Sequence, residues 1–147
     1  MRTWRSNATV AASPADILEL LTDPEAIARW APVPFEVVAL EGGRLRSGGR
    51  ARVVGQLAGR SVEFDVDVLR ASDERLDLVA CGPILLAVRY LLRPAAGGSE
   101  VDASVCVKGQ GLLGRALAKA TEALLAAGAL RLSLERLARE LQPALVV

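Results

Sequence analysis

The chain contains no histidine, so the side chain most often used as a general base near neutral pH is missing. With it go the Ser–His and Cys–His nucleophile pairs and most catalytic zinc sites. The residues left for chemistry are few. Tyr90 shares its parity with Val88 and Leu92 in an alternating segment. Its hydroxyl reads either as a satisfied core phenol or as a donor, and more remotely an acid, in an interior site. Cys81 and Cys106 are too few to hold a metal cluster. Nothing at the N-terminus reads as a secretory signal, so they read as buried free thiols and not as a disulfide. Glu63, Asp65 and Asp67 alternate with apolar residues, as a solvated strand face does, and form no paired-carboxylate site. No metal is expected. Arg44, Arg46, Arg50 and Arg52 surround a glycine-rich turn and fit either of two accounts, steering of an anionic ligand or a solvated loop. No catalytic residue can be named, and no cofactor is implied.

Composition limits the partners. A length of 147 residues suits one domain, expected to span 1–147, with a core of its own. Hydrophobic residues make up 52% and charged residues 24%, which excludes a disordered chain. The net charge of +1 leaves no electrostatic footprint for nucleic acid. The longest uncharged run, residues 78–88, falls short of the roughly 18 apolar residues that cross a bilayer. The expected setting is cytoplasmic.

The elements that must position these residues follow from periodicity and turn signals. A first strand lies within Thr3–Ala12. Ser13-Pro14-Ala15-Asp16 carries an N-cap, a first-turn proline and an acid at the positive helix end. Thr22-Asp23-Pro24-Glu25 repeats that start for a second short helix, to about Trp30, ended by Pro32 and Pro34. Strands follow at Phe35–Glu41, Arg50–Leu57, Arg60–Ala71, Leu76–Cys81, Ile84–Arg93 and Glu100–Lys108, with Ala58-Gly59 as a two-residue hairpin. In the third of these, Val62, Phe64, Val66 and Val68 alternate with acids, giving one dry face and one wet face. Leu112–Leu141 is free of proline and reads as one helix about 45 Å long. It is the only element long enough to cover the dry face.

This order, strand, two short helices, about six antiparallel strands and a long helix, resembles the START/Bet v 1-like (SRPBCC) superfamily, in particular its polyketide cyclase/dehydrase-type members. The likeness spans essentially the whole chain. Its most specific local part is Ser13-Pro14-Ala15-Asp16-Ile17-Leu18, then Thr22-Asp23-Pro24-Glu25-Ala26-Ile27 and Trp30. The Gly97-Gly98 turn and the Gly109-Gln110-Gly111-Leu112-Leu113-Gly114 approach to the last helix are also similar. The resemblance implies an α+β helix-grip fold, a curved antiparallel sheet of about seven strands wrapped around the C-terminal helix. It also implies an apolar cavity between them that holds a hydrophobic small molecule. On strand parity the candidate ligand-binding residues are Val53, Phe64, Val66, Leu78, Val88, Tyr90 and Ala103, with Val105 beside them. Trp30 and Phe35 stand near the mouth. The same alternation fits a solid core, although aromatic residues total 3%, leaving few large fillers.

The last helix carries two apolar stripes. Leu113, Leu117, Ala120 and Leu124 form one; Leu130, Leu134, Leu137 and Leu141 form the other, rotated by roughly 80° on an ideal helix. The change of phase falls at Gly128, where glycine costs about 1 kcal/mol relative to alanine. Either the helix bends there and roofs a cavity, adding Leu124 and Gly128 to the candidate site, or a plain helix is wrapped by a twisted sheet. Leu125 and Leu132 lie off both stripes and fit a homodimer contact or scattered surface leucines. The expected function is binding, transport or sequestration of a lipid or polyketide-like molecule. The alternative, from the same resemblance, is an aromatase/cyclase acting on a chain folded in that cavity.

Overall fold

The computed structural model describes residues 2–31 and 35–141, and Pro32 and Pro34 lie outside them. Seven strands form one antiparallel sheet: β1 (Arg2–Val10), β2 (Phe35–Leu40), β3 (Arg50–Leu57), β4 (Arg60–Ala71), β5 (Arg75–Cys81), β6 (Ile84–Ala95) and β7 (Gly98–Gly109). Their spatial order is β1-β7-β6-β5-β4-β3-β2, so consecutive strands from β2 to β7 are neighbours and β1 closes onto β7. The β3–β4 hairpin turns through Ala58 and Gly59, both at positive φ (52° and 76°). That geometry matches the right-handed strand twist and explains the two-residue loop.

Between β1 and β2 run α1 (Pro14–Leu21) and the single turn α2 (Ile27–Trp30). The start of α1 follows from its sequence: the Ser13 hydroxyl accepts from the Asp16 amide at 3.2 Å, with Pro14 in the first turn.

The alternation sorts the sheet cleanly. Val62, Phe64, Val66 and Val68 of β4 are buried, while Glu63, Asp65 and Asp67 are exposed. On the outer face directly opposed residues pair as ions: Arg50 with Asp67, Arg52 with Asp65, and Arg89 with Asp77 at 2.8 Å. The exposed pairs contribute little each. Two of the arginines around the glycine-rich turn are therefore spent on the sheet, and a third, Arg44, donates to the Glu19 carbonyl and to the Thr22 hydroxyl. The thiols are free, but they are not buried. Cys81 is exposed and Cys106 half-buried, because both fall on the outward parity of their strands, as Asp77 and Ser104 do.

The covering element is two helices, α3 (Gly111–Ala126) and α4 (Ala129–Leu141). Gly128 separates them at φ 97°, a left-handed conformation that favours glycine, and its amide bonds the Leu125 carbonyl at 3.1 Å. Of the two accounts of Gly128 the break is the one present, so the single helix expected over Leu112–Leu141 is two. The second leucine stripe also points inward, with Leu130, Leu134 and Leu137 buried and Leu141 half-buried. The first stripe does so only in part, through Leu117 and the half-buried Ala120. In α3 the buried residues are Gly114, Leu117, Ala118, Thr121 and Leu125, while Leu113 and Leu124 are exposed. The reason is steric. A Cβ on Gly114 would strike the Pro83 carbonyl oxygen, and one on Gly109 would strike the Gly114 carbonyl. Alpha3 thus docks on its small residues, backbone against backbone, and turns the bulkier Leu113 and Leu124 outward.

Among the described residues no helix is long and apolar enough to cross a membrane. The Gly114→Ala variant should lose about 1–3 kcal/mol of stability in denaturant unfolding, because a methyl group there is pressed into backbone that cannot yield. Gly128→Ala should cost roughly 1–2 kcal/mol by the same measurement, from its left-handed φ alone.

Candidate ligand cavity

Two adjacent rows of small apolar residues run across the inner face of the sheet. In one row Ala51, Val66, Ala80 and Leu86 oppose one another from β3 to β6. In the next, Leu78, Val88 and Val105 do so from β5 to β7. Leu78 and Val88 are only half-buried although Leu76, Ala80, Leu86 and Tyr90 beside them are buried, as fits a void over the middle of the sheet.

That void measures about 90 Å³, counted as space for the centre of a water-sized sphere. Its floor is formed by those rows with Val53, and its roof by Thr121 and Leu125 of α3. Leu21, Ile27, Trp30 and Ala31 close one side, and Phe35, Val37 and Leu45 another. Leu45 comes from the charged β2–β3 loop. Its amide bonds the Thr22 carbonyl at 3.1 Å while Arg44 clamps the end of α1, so the loop is folded back over the cavity.

The aromatic residues are held by close packing. Phe35 stands edge-on to Phe64, with centroids 5.7 Å apart and planes at 88°. It lies over Gly55, where an added Cβ would come within 2.7 Å of its ring. Trp30 meets Tyr90 in the same manner, at 5.7 Å and 87°.

The cavity wall is almost free of polarity. Among the described residues no charged side chain lines it. The Thr121 hydroxyl donates to the Leu117 carbonyl within its own helix at 2.9 Å. The Tyr90 hydroxyl lies 3.5 Å from Ser133 Oγ on α4. Burial pushes the phenol up to about 12, with the Ser133 contact acting in the opposite direction. Tyr90 is therefore a neutral phenol at physiological pH. Asp77 is the buried carboxylate of the sheet, but it lies on the outer face between Arg75 and Arg89. Trp30 Nε1 is buried and has no hydrogen-bond partner among the described residues. No group of three or more metal-ligating side chains occurs among them.

Of the residues proposed from strand parity, Val53, Val66, Leu78, Val88, Tyr90 and Val105 come together on this wall, and Trp30 and Phe35, proposed near the mouth, join them. Phe64 is buried behind Phe35, and Ala103 is buried in the core outside the cavity. Leu124 is 41% exposed and Leu125 takes the roof position, one residue on. Gly128 lies beyond the cavity; an added Cβ there would face the Arg131 side chain. Ala51, Ala80 and Leu86 share the parity of Val53, Leu78 and Val88 and were accessible to the same reasoning. Leu45 and Thr121 had no such signal.

Tyr90 is the chain's single tyrosine, so phenolate absorbance reports on it alone. The folded-state value of about 12 exceeds the ordinary 10.0, so stability is fully present below about pH 10 and falls as pH rises towards 12. In a pH titration of the folded protein, phenolate absorbance should appear near pH 12, and in denaturant near 10. Tyr90→Phe should remove the alkaline loss of stability over that interval.

A family model described as polyketide cyclase/dehydrase and lipid transport matches residues 1–142. No curated protein sequence matches the chain. Protein CV1439 from Chromobacterium violaceum superposes with a TM-score of 0.70 at 19% identity, covering 96% of this chain and 97% of that one. A START superfamily protein from Mycobacterium smegmatis gives 0.64 at 20% identity, over 95% and 99% of the two chains. Ara h 8.0201 gives 0.55 at 17% identity, over 86% and 99%. At these identities the structures share a fold. The sheet, the two short helices, the C-terminal helical cover and the family match together place the chain in the polyketide cyclase/dehydrase and lipid transport family, with the START/Bet v 1-like helix-grip fold.

Proposed function

We propose that the protein binds a hydrophobic small molecule, lipid or polyketide-like, in the cavity between the sheet and α3. The single observation that carries this reading is a void over the middle of the sheet whose lining is apolar and holds no charge. Burial of apolar surface in a preformed space supplies affinity without a catalytic group. The family description, which includes lipid transport, supports the same reading.

A second reading, an aromatase or cyclase, draws on the contact between Tyr90 and Ser133. A neutral phenol can donate a hydrogen bond to a carbonyl oxygen as negative charge develops on it. The two readings part at Tyr90→Phe, which should leave binding nearly intact in a binder and abolish turnover in an enzyme.

The leading reading is tested by thermal unfolding with single-ring apolar compounds. A ligand at 100 times its Kd should stabilise the protein by about 2.7 kcal/mol, raising Tm by roughly 5–10 °C. Val88→Phe places a ring in the void from the middle of its floor. It should remain folded, be no less stable, and lose the ligand-induced shift. A shift of equal size in Val88→Phe would place binding elsewhere and sink the reading.

A further inference from the structure

We infer that the outer face of α3, with Lys108 on its approach, docks on a lipid bilayer that carries anionic headgroups. The two helices of the cover differ in what they turn outward. On α4 the exposed residues are Arg131, Glu135, Arg136, Arg139 and Glu140, with Leu132 the one apolar member. On α3, Leu112, Leu113, Ala116, Ala123, Leu124 and Ala126 are exposed, and the only charged side chains among its exposed residues are Arg115 and Lys119. Leu112 is 89% exposed, Leu113 50% and Leu124 41%. These leucines are arranged and not scattered. About two turns separate Leu112 from Lys119 and about three separate Leu113 from Leu124, so all four belong to one outward side of the helix.

The charge on this face has one sign. Lys108, Arg115 and Lys119 make no ion pair among the described residues, and the acid of the helix, Glu122, is half-buried. Alpha3 has no acid in its first turn, and Gln110 gives it no side-chain cap, so the positive end of the helix adds to the same field beside Leu112. Protruding leucines beside cations match an anionic bilayer. Its headgroups answer the charge, and its acyl region takes the leucines without a shaped pocket. A second copy on the same face would meet Arg115 and Lys119 with its own Arg115 and Lys119, and only the half-buried Glu122 could answer them. Alpha3 lines the cavity with Thr121 and Leu125, from its other side, so docking does not depend on what the cavity holds.

The test is sedimentation of the full chain with sucrose-loaded vesicles of phosphatidylcholine, alone or with about one-third phosphatidylglycerol. The chain should sediment with the mixed vesicles and not with phosphatidylcholine alone. Raising salt from about 0.05 M to about 0.5 M should release it. Leu112→Asp should weaken partitioning at least about tenfold, and Arg115→Ala or Lys119→Ala about fivefold each. The fold should be kept in all three, because these side chains lie in solvent. Leu132→Asp and Arg136→Ala on α4 should change nothing. A Leu112→Trp variant reads insertion directly, and its emission should move to the blue with the mixed vesicles only. Chain left in the supernatant with the mixed vesicles would overturn the inference, as would sedimentation that Leu112→Asp does not weaken. A lipid-free dimer in the ultracentrifuge that Leu112→Asp dissolves would give the face to a second copy. Binding to polyglutamate as tight as to the vesicles, and unchanged in Leu112→Asp, would give it to an acidic protein. Either result overturns the bilayer.

Discussion

The Pro83 carbonyl resting against Gly114 holds one end of the helical cover on the sheet, and the cavity depends on that contact. A sheet with one dry face has to be covered, and the height of the cover decides what remains beneath it. Alpha3 approaches through glycine and alanine, so its axis comes close to β6 and β7 at its start. Further along the helix, Leu117, Thr121 and Leu125 replace those small residues. The alanine and valine rows below do not rise to meet Thr121 and Leu125, and a void is left. At Gly128 the helix breaks, and the leucines of α4 complete the core over β1. The lid is thus fixed tightly at both ends, and the sheet beneath its middle is built from side chains too short to fill the gap.

The polar economy of the cavity follows from the same arrangement. The charges of the sheet are paired across strands on the outer face, where they remain hydrated and cost little. The inner face carries Tyr90 and little else that is polar, and Ser133 on α4 partly satisfies the phenol. Alpha2 adds Trp30, which packs edge-on against Tyr90 while its own N–H stays unmatched. Among the described residues, those that line the cavity include no arginine, lysine, aspartate or glutamate.

Local signals gave most of the architecture. The capped start of α1 and the Ala58-Gly59 hairpin are properties of a few adjacent residues, and β3 and β4 have the bounds that alternation indicates. The parity of β4 to β6 placed Val66, Leu78, Val88 and Tyr90 inside. The same argument carried to Ala51, Ala80 and Leu86 would have completed the floor. Errors arose where size was taken as a guide to direction. Leu124 was assigned to the roof because leucines were expected to face inward, whereas α3 docks on its small residues and presents Leu125. The cysteines were expected to be buried by residue type, yet strand parity sends them out.

The sequence by itself determined the order of elements, the one-sided sheet and the need for a long cover, since capping, alternation and turn geometry act within a few residues of one another. It also determined that histidine chemistry is absent. Only the tertiary structure decided the height and phase of the cover and the void beneath it. Leu45 joined the wall through bonds made by its loop to the end of α1, far away in the chain. Such features depend on distances between segments that share no local code. Tyr90 and Trp30 could be named from the sequence, but their contact, and the empty space beside it, could not.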